Sequence, residues 1–565
     1  MDIHVTTSSS ALPPVDRRTV LATGAAAGLV AAAGTGAAAA DDASAKPKAQ
    51  RYFQHGVASG DPRPKKVIIW TRVTPTPASK PGSGKGPTVD VRWQVAKDKR
   101  FRKVVKRGTF TTSAARDHTV KLDVTGLKPA TWYFYRFTFD GAHSPVGTTR
   151  TAPRARSTPR NLRLGVVSCA NLQAGWFSAY RGVAARNDLH AVLHLGDYLY
   201  EYAPGQYGMG QDNVDIREHD PAREMVSLSD YRRRHAQYKT DPDLQAAHAK
   251  YPWIVTWDDH EVTNDQYDTG AENHDAGEGN YLRRRARAHR AYDEWMPVQL
   301  NGTTELGDGD RLYRRLKFGQ LAEISMLDLR TYRSEQVGTP VVDPAVSDRT
   351  ITGAKQLRWL KKSLQRRKAL WKVIGNPVMI TPVTFGSLPG DLLDPINDVT
   401  GLLPEDGAPY NVDQWDGYTA DRKEVFTFIK DHNVENALFI TGDIHSGWAC
   451  ELPYDAGSYP LSGSAGVEFV CSSVTSNNLK DITGTPAGTT SRLVEAAIMA
   501  ANPYIKYLNF DDHGFSVLDL TAKRAQMDWY VIGDRADKGT SITYETSFRT
   551  KTGTNQISRV GRPVA

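Results

Sequence analysis

Apolar and polar residues alternate through Val89-Asp90-Val91-Arg92-Trp93-Gln94-Val95, the period-two pattern of a half-buried strand. Val67 to Val73 reads as another strand, and the Gly/Pro-rich stretch Lys80 to Pro87 between them reads as a loop. Short strands broken by turns in this way predict a small all-β sandwich over residues 51–155. The pattern changes near residue 160. Continuous apolar runs appear at Leu162–Val167, Ala191–Leu195, Trp253–Trp257, Trp371–Ile374 and Ala437–Thr441, with helical stretches between them at Leu282–Trp295 and Lys355–Lys368. Strands alternating with helices predict a layered α/β domain over residues 156–565, whose ligands sit on loops at the strand ends. Asn264 to Asn280, rich in Asp, Gly and Asn, reads as an irregular loop, and Arg283-Arg284-Arg285-Ala286-Arg287 as a solvated helix face.

The first forty residues have a different character. Arg17 and Arg18 precede a weakly hydrophobic Ala/Gly run that ends in Ala37-Ala38-Ala39-Ala40. This resembles a twin-arginine export signal over residues 1–40, followed by a linker over 41–50. Ala and Gly partition poorly into lipid, which argues against a membrane anchor. No later apolar run reaches about 18 residues. The expectation is a secreted, extracellular protein whose protein partner is the export machinery. It reads as a monomer without a stable membrane anchor.

Composition narrows the classes further. The chain has 565 residues, 40% hydrophobic and 24% charged, which excludes a disordered or collagen-like protein. Its net charge of +8 suits an anionic substrate but is spread among 71 basic and 63 acidic residues. That implies no nucleic-acid partner, although nucleotides fit as substrates. Three cysteines cannot hold a fold this long, so a hydrophobic core must. A bridge between Cys450 and Cys471, with Cys169 left free, and three free thiols are both compatible with the spacing.

The chemistry gathers where the apolar runs stop. Ser168-Cys169-Ala170-Asn171, Gly196-Asp197-Tyr198-Leu199-Tyr200, Asp258-Asp259-His260-Glu261, Gly375-Asn376 and Gly442-Asp443-Ile444-His445 each follow a strand without a gap. Carboxylates converging on one sheet edge repel one another unless cations neutralise them. A metal centre is the economical reading.

The order of these clusters resembles the calcineurin-like metallophosphoesterase fold, in the branch of the purple acid phosphatases. The departures from that pattern resemble the alkaline phosphatase D (PhoD) family, as do Phe53-Gln54-His55-Gly56-Val57-Ala58-Ser59-Gly60-Asp61-Pro62 and Trp257-Asp258-Asp259-His260-Glu261. Leu127-Lys128-Pro129-Ala130-Thr131-Trp132-Tyr133 looks like the tyrosine corner of fibronectin type III sandwiches, which gives Tyr133 a structural role. The fold implied is a metallophosphoesterase β-sandwich flanked by helices, preceded by a small fibronectin III-like sandwich. The ligands carry over by motif. Asp197 bridges two metals. Cys169, Tyr200 and His445 complete the first site, for which thiolate and phenolate donors and the resemblance imply ferric iron, Fe3+. At the second site Asp259, Asn376 and Asp443 replace imidazoles with oxygen donors, which favours calcium, Ca2+. Asp258 orients the site or binds a further cation.

By the same resemblance His260 faces the substrate phosphate and acts as general acid or charge stabiliser. Arg330 and Arg333 either clamp phosphate or pair with Asp328 and other carboxylates. The implied activity is metal-dependent hydrolysis of phosphate esters, as an alkaline phosphatase acting on monoesters. The alternative is a phosphodiesterase or phospholipase D-like hydrolase on the same site. Whether the strands from Ser516 to Ile532 cover the cleft stays open at this point.

Overall fold

Two large sheets face each other, and helices cover both outer surfaces. The computed structural model of the chain describes residues 48–206, 216–337, 349–366, 368–385 and 408–564. The candidate export signal lies outside the described residues. The first sheet has ten strands, in the order Ile557–Val560, Ile542–Lys551, Arg524–Ile532, Gly514–Thr521, Asn161–Val167, Ala191–His194, Pro252–Val255, Val57–Arg63, Lys66–Arg72 and Thr119–Thr125. The second has seven, in the order Arg314–Phe318, Ala322–Met326, Trp371–Asn376, Ala437–Thr441, Ser464–Val470, Gly447–Pro453 and Ile505–Asn509.

Period two along the strands builds the layers. Val373, Leu438 and Ile440 pack inward against Leu164, Leu193 and Ile254 of the opposite sheet. Their neighbours Ile374 and Phe439 point outward, beneath Leu357, Leu360, Val425 and Phe426 of the helices Ala354–Leu364 and Thr419–Asp431. On the other face Val192, Trp253 and Val255 pack with the helices Ser178–Ala185, Leu228–Tyr238 and Tyr281–Trp295. Burial on both faces of the sheets explains the continuous apolar runs, because each alternate residue has a core of its own.

All five expected catalytic-domain strands are present, within two residues of their expected ends. The helix expected to reach Lys368 stops at Leu364, the last of the buried leucines 357, 360 and 364 that hold it to the sheet. The arginine run is not wholly solvated. Arg284 is buried, and its guanidinium donates to Glu224 (2.6 Å), Glu278 (2.7 Å) and the Tyr231 hydroxyl (3.1 Å). The strands Gly514–Thr521 and Arg524–Ile532 lie inside the ten-stranded sheet, the first paired with Asn161–Val167, and so do not cover a cleft.

The leading strands form a second, smaller layer pair. Val104–Thr112, Val89–Ala96, Trp132–Phe139, Ala142–His143 and Gly147–Arg150 make a five-stranded sheet. It packs on the Val57–Arg63, Lys66–Arg72 and Thr119–Thr125 strands through Val91, Tyr135, Val67, Ile69 and Val120. Tyr133 has the expected structural role, its hydroxyl accepting the Lys128 N–H at 2.8 Å. Sequence periodicity did not disclose the junction. Ser59 and Gly60 pair in parallel with Pro252 and Trp253, so the leading strands extend the catalytic sheet itself. A buried ion pair of Lys121 with Asp293, and Arg314 gripping Asp61 at 2.7 and 2.8 Å, add polar ties across the same seam.

Cys450 and Cys471 are both free and buried. They flank the Ser464–Val470 strand but face different cores, Cys450 beside Trp448 and Ile505, and Cys471 in the cluster between the sheets. Among the described residues no helix is long and apolar enough to cross a membrane.

Candidate metal centre

The parallel strands Asn161–Val167, Ala191–His194 and Pro252–Val255 of one sheet, and Trp371–Asn376 and Ala437–Thr441 of the other, end along one rim. Two glycines let the strand ends crowd together there. A Cβ on Gly196 would lie 2.5 Å from the Asp258 Cβ, and one on Gly442 would lie 2.2 Å from the Ser168 Oγ. After three of these strands, Asn161–Val167, Ala191–His194 and Ala437–Thr441, the chain turns through the left-handed region, at Cys169 (φ 57°), Asp197 (φ 54°), Asp443 (φ 64°) and His445 (φ 52°). Four non-glycine residues in that sparsely populated region mark a rim where side-chain placement outweighs backbone comfort.

Ligand-bearing atoms of Cys169, Asp197 and His445 lie within 4.8 Å of one another. The Tyr200 hydroxyl joins them, donating to Asp197 Oδ2 at 2.9 Å and lying 3.2 Å from His445 Nε2. His445 Nδ1 donates to the Asn477 carbonyl at 2.7 Å, which turns Nε2 into the group as the free lone pair. Burial lowers the His445 pKa to about 4, so the ring is neutral and able to ligate. The four expected first-site residues are therefore together. Their donor set of thiol, phenol, imidazole and carboxylate is one that binds a transition metal.

A second group continues from Asp197. Ligand atoms of Asp197, Asp258 and Asp443 fall within 4.8 Å of one another, as do those of Asp197, Asp259 and His260. Asp197 Oδ1 is buried and has no hydrogen-bond partner, an arrangement that costs free energy unless a cation fills it. Burial, with Asp197 and Asp443 nearby, pushes the Cys169 thiol well above its usual pKa. Burial also raises the carboxyl groups of Asp197 and Asp443, and neighbouring acids reinforce the shift. Ionising these groups together calls for positive charge, so the residues fit metal ions.

Part of that charge is already supplied. Arg330 is fully buried, with Nε and Nη2 at 2.6 and 2.9 Å from the two oxygens of Asp258. It also reaches Asp413 (2.8 Å), Asp443 (3.2 Å) and Asp259 (3.4 Å). Arg333 Nη1 is 2.7 Å from the same Asp413 oxygen. Of the two sequence readings for these arginines, carboxylate pairing is the observed one, and Arg330 takes Asp258 rather than Asp328.

Asn376, expected as a ligand of the second site, is oriented at the end of its strand through its amide. Its amide nitrogen donates to the Val378 carbonyl (2.5 Å) and the Thr441 hydroxyl (3.2 Å), and its oxygen accepts the Trp415 indole N–H (3.2 Å). Both ends of the amide are thus tied to the scaffold. Four residues to which the sequence reading gave no role belong to the site. Ligand atoms of Asp265 and Asp413 lie within 4.8 Å of each other and of Asp259. The Glu261 carboxylate accepts the N–H groups of Asp197 (3.2 Å), Tyr198 (2.8 Å) and Asp258 (2.9 Å), which locks two rim loops together. Glu201 Oε2 is 2.8 Å from His260 Nδ1, and its other oxygen accepts from the Asn264 N–H (2.8 Å) and the Asn273 amide (2.9 Å). Burial opposes charge on His260, but Glu201, Asp197 and Asp259 outweigh it and hold the pKa well above the usual range.

Several of the site residues line a cleft of about 340 Å³. The carboxylates of Asp197, Asp259, Asp413 and Asp443, with the imidazoles of His260 and His445, form its charged floor, and Tyr410, Ile444, Leu479, Ile482 and Phe510 are among its lining. A charged floor beside an apolar wall suits a substrate with one highly charged group and a less polar remainder.

Comparison with known proteins agrees with this geometry. Residues 164–529 match the pattern of the PhoD-like phosphatases, and residues 36–153 match the N-terminal domain of PhoD-like phosphatases. The chain is 35% identical over 526 residues to alkaline phosphatase D of Bacillus subtilis (strain 168), covering 92% of this chain and 84% of that protein. A solved structure of PhoD superposes with a TM-score of 0.79 at 33% identity, covering 91% of this chain and 93% of that one. The chain is an alkaline phosphatase D homologue and belongs to the PhoD-like phosphatase family of enzymes.

Proposed function

We propose that this protein is an exported alkaline phosphatase that hydrolyses phosphate esters at a mixed Fe3+/Ca2+ centre. The observation that carries the reading is the meeting of Cys169, Asp197, Tyr200 and His445 around a buried, unpartnered carboxylate oxygen. A thiolate and a phenolate beside imidazole and carboxylate suit ferric iron, held by these four residues. The oxygen-only set of Asp197, Asp259 and Asp443 suits calcium, with Asp265 and Asp413 as further oxygen donors. Asn376, whose oxygen keeps a second lone pair beside its hydrogen bond from Trp415, is a further oxygen donor for this set. The paired sheets correspond in this reading to a metallophosphoesterase core, and the leading layers, residues 51–155, to a fibronectin III-like domain. Export through the twin-arginine pathway follows from Arg17 and Arg18 ahead of the Ala/Gly run of residues 1–40.

When bound, the ions would supply charge neutralisation at the phosphoryl oxygens and an activated oxygen nucleophile. The chain's own residues do the rest. Glu201 holds the His260 ring and favours its protonated form, ready to give a proton to the departing alcohol oxygen. Glu261 fixes the spacing between the Asp197 and Asp258 turns. Arg330 and Arg333 keep the acids on the floor in place and do not compete for phosphate.

Removal of metal with a chelator should abolish turnover of a chromogenic phosphate monoester, and iron with calcium should restore it. Cys169→Ala should lose iron and activity together. Full activity in metal-stripped enzyme would refute the proposal. A diesterase reading is favoured by one observation, the apolar wall of Ile444, Leu479, Ile482 and Phe510, which can cover a second ester arm. The ratio of turnover on a diester to that on a monoester of the same chromogen separates the two.

A further inference from the structure

A strongly basic feature outside the metal centre lies at the opposite rim of the sheets. A cleft of about 1080 Å³ opens where Trp371–Asn376 and Ala437–Thr441 begin, rather than where they end. Its lining includes Arg156, Lys317, Arg366, Lys368 and Lys372, against the single acid Glu435. The five cations come from four separate segments. Arg156 is on the connection into the catalytic sheets, Lys317 on the edge strand Arg314–Phe318, Arg366 and Lys368 in the turn after the Ala354–Leu364 helix, and Lys372 on the strand that follows. Glu323 meets Arg366 at 3.2 Å and Arg315 at 3.8 Å, so one carboxylate serves two guanidiniums. Among the described residues Arg156, Lys317 and Lys368 have no carboxylate within ion-pair distance. Cations gathered in a concave, low-dielectric wall reinforce one another's field and attract anions.

We propose that this cleft is a second anion-binding site, which docks a chain of repeating phosphate groups away from the catalytic rim. Five strand residues at about 3.3 Å each place the two rims at least about 16 Å apart, so a phosphate in the basic cleft is not the one being hydrolysed. A single phosphate would engage two or three of the cations. Five cations from four segments exceed what one phosphate engages and suit several phosphates on one flexible chain. Arginine forks and lysine point charges both match phosphate oxygens. The proposal does not depend on which metals fill the other rim.

The test uses fluorescently labelled long-chain inorganic polyphosphate and the metal-loaded full-length enzyme. Excess inorganic phosphate is added to occupy the catalytic rim. Binding is read by anisotropy, and turnover of a small chromogenic ester is read in parallel. The double variant Lys317→Glu/Lys368→Glu should bind the polymer roughly tenfold more weakly, with ester turnover unchanged. Arg156→Glu, on the facing segment, should weaken binding in the same direction. Equal binding by the parent and both variants overturns the proposal. Binding of polyglutamate as tight as that of polyphosphate at the same salt overturns the assignment to phosphate. Loss of ester turnover in the parent would count against the catalytic reading alone, since the anisotropy signal does not require hydrolysis.

Discussion

Replacing Arg330 with methionine probes the charge balance of the centre. The guanidinium is buried and shared by Asp258, Asp259, Asp413 and Asp443, at 2.6 to 3.4 Å. Methionine keeps much of the volume, so the loss is electrostatic. Taking one partner from a buried ion pair costs about 3–5 kcal/mol, or roughly 150- to 5,000-fold in the folding equilibrium. Two conditions should change that figure. In the proposed function calcium held by the same acids would replace the missing charge, so the cost should shrink when calcium is present. Burial raises the Asp258 and Asp443 pKa values, and Arg330 pulls both down. Without Arg330 they rise further, and the folded state then holds protons that the unfolded state releases near pH 3.9. The penalty is therefore small in acid and grows as pH rises towards the folded-state pKa values. Urea unfolding in EDTA and in calcium, at about pH 5 and about pH 8, reads all of this. The reasoning fails if Arg330→Met stays within about 1 kcal/mol of the parent in EDTA at about pH 8, or if calcium leaves the difference unchanged.

Three other perturbations have equally definite outcomes. Glu201→Gln should lower kcat on a poor leaving group by about ten- to a hundredfold, with little change in KM, because His260 loses its orienting carboxylate; equal kcat would remove Glu201 from the mechanism. Gly442→Ala places a Cβ 2.2 Å from the Ser168 Oγ, which itself sits 3.0 Å from the Cys169 Sγ. It should cost about 1–3 kcal/mol and weaken iron retention, and an iron-replete variant of parental stability would contradict the close approach. Lys239 is buried beside the Tyr198 hydroxyl, and burial lowers its pKa to about 7. The folded state has shed this proton between about pH 7 and 10 while the unfolded state still holds it. Stability should therefore rise with pH by up to about 1.4 kcal/mol per unit from this group, and Lys239→Met should flatten that slope; an unchanged slope refutes it.

The layered architecture was legible because a strand buried on both faces is a continuous apolar run, and Leu193 and Val192 serve different cores. The rim ligands were legible for a related reason: Asp197, Asp443 and Cys169 each follow such a run within a few residues. What stayed hidden depends on partners distant in the chain. Asp413 sits in a polar loop where acids are common, and only folding brings it to Asp259 and Asp265. Arg330 looks like any strand-end arginine until Asp258, 72 residues away, grips it. Asn376 reads as a strand-end ligand, and the contacts that orient its amide, with Val378, Thr441 and Trp415, likewise show only in the fold. The seam between the leading strands and the catalytic sheet rests on Ser59 and Gly60 pairing with Pro252 and Trp253, a contact with no local signature.

Elemental analysis of the purified enzyme, joined to its visible spectrum, tests the central claim most directly. Iron stoichiometric with the chain, together with calcium, and a charge-transfer band that disappears in Tyr200→Phe, is the result expected of a ferric ion held by Cys169, Asp197, Tyr200 and His445. Zinc in place of iron, in a colourless enzyme of full activity, would contradict it.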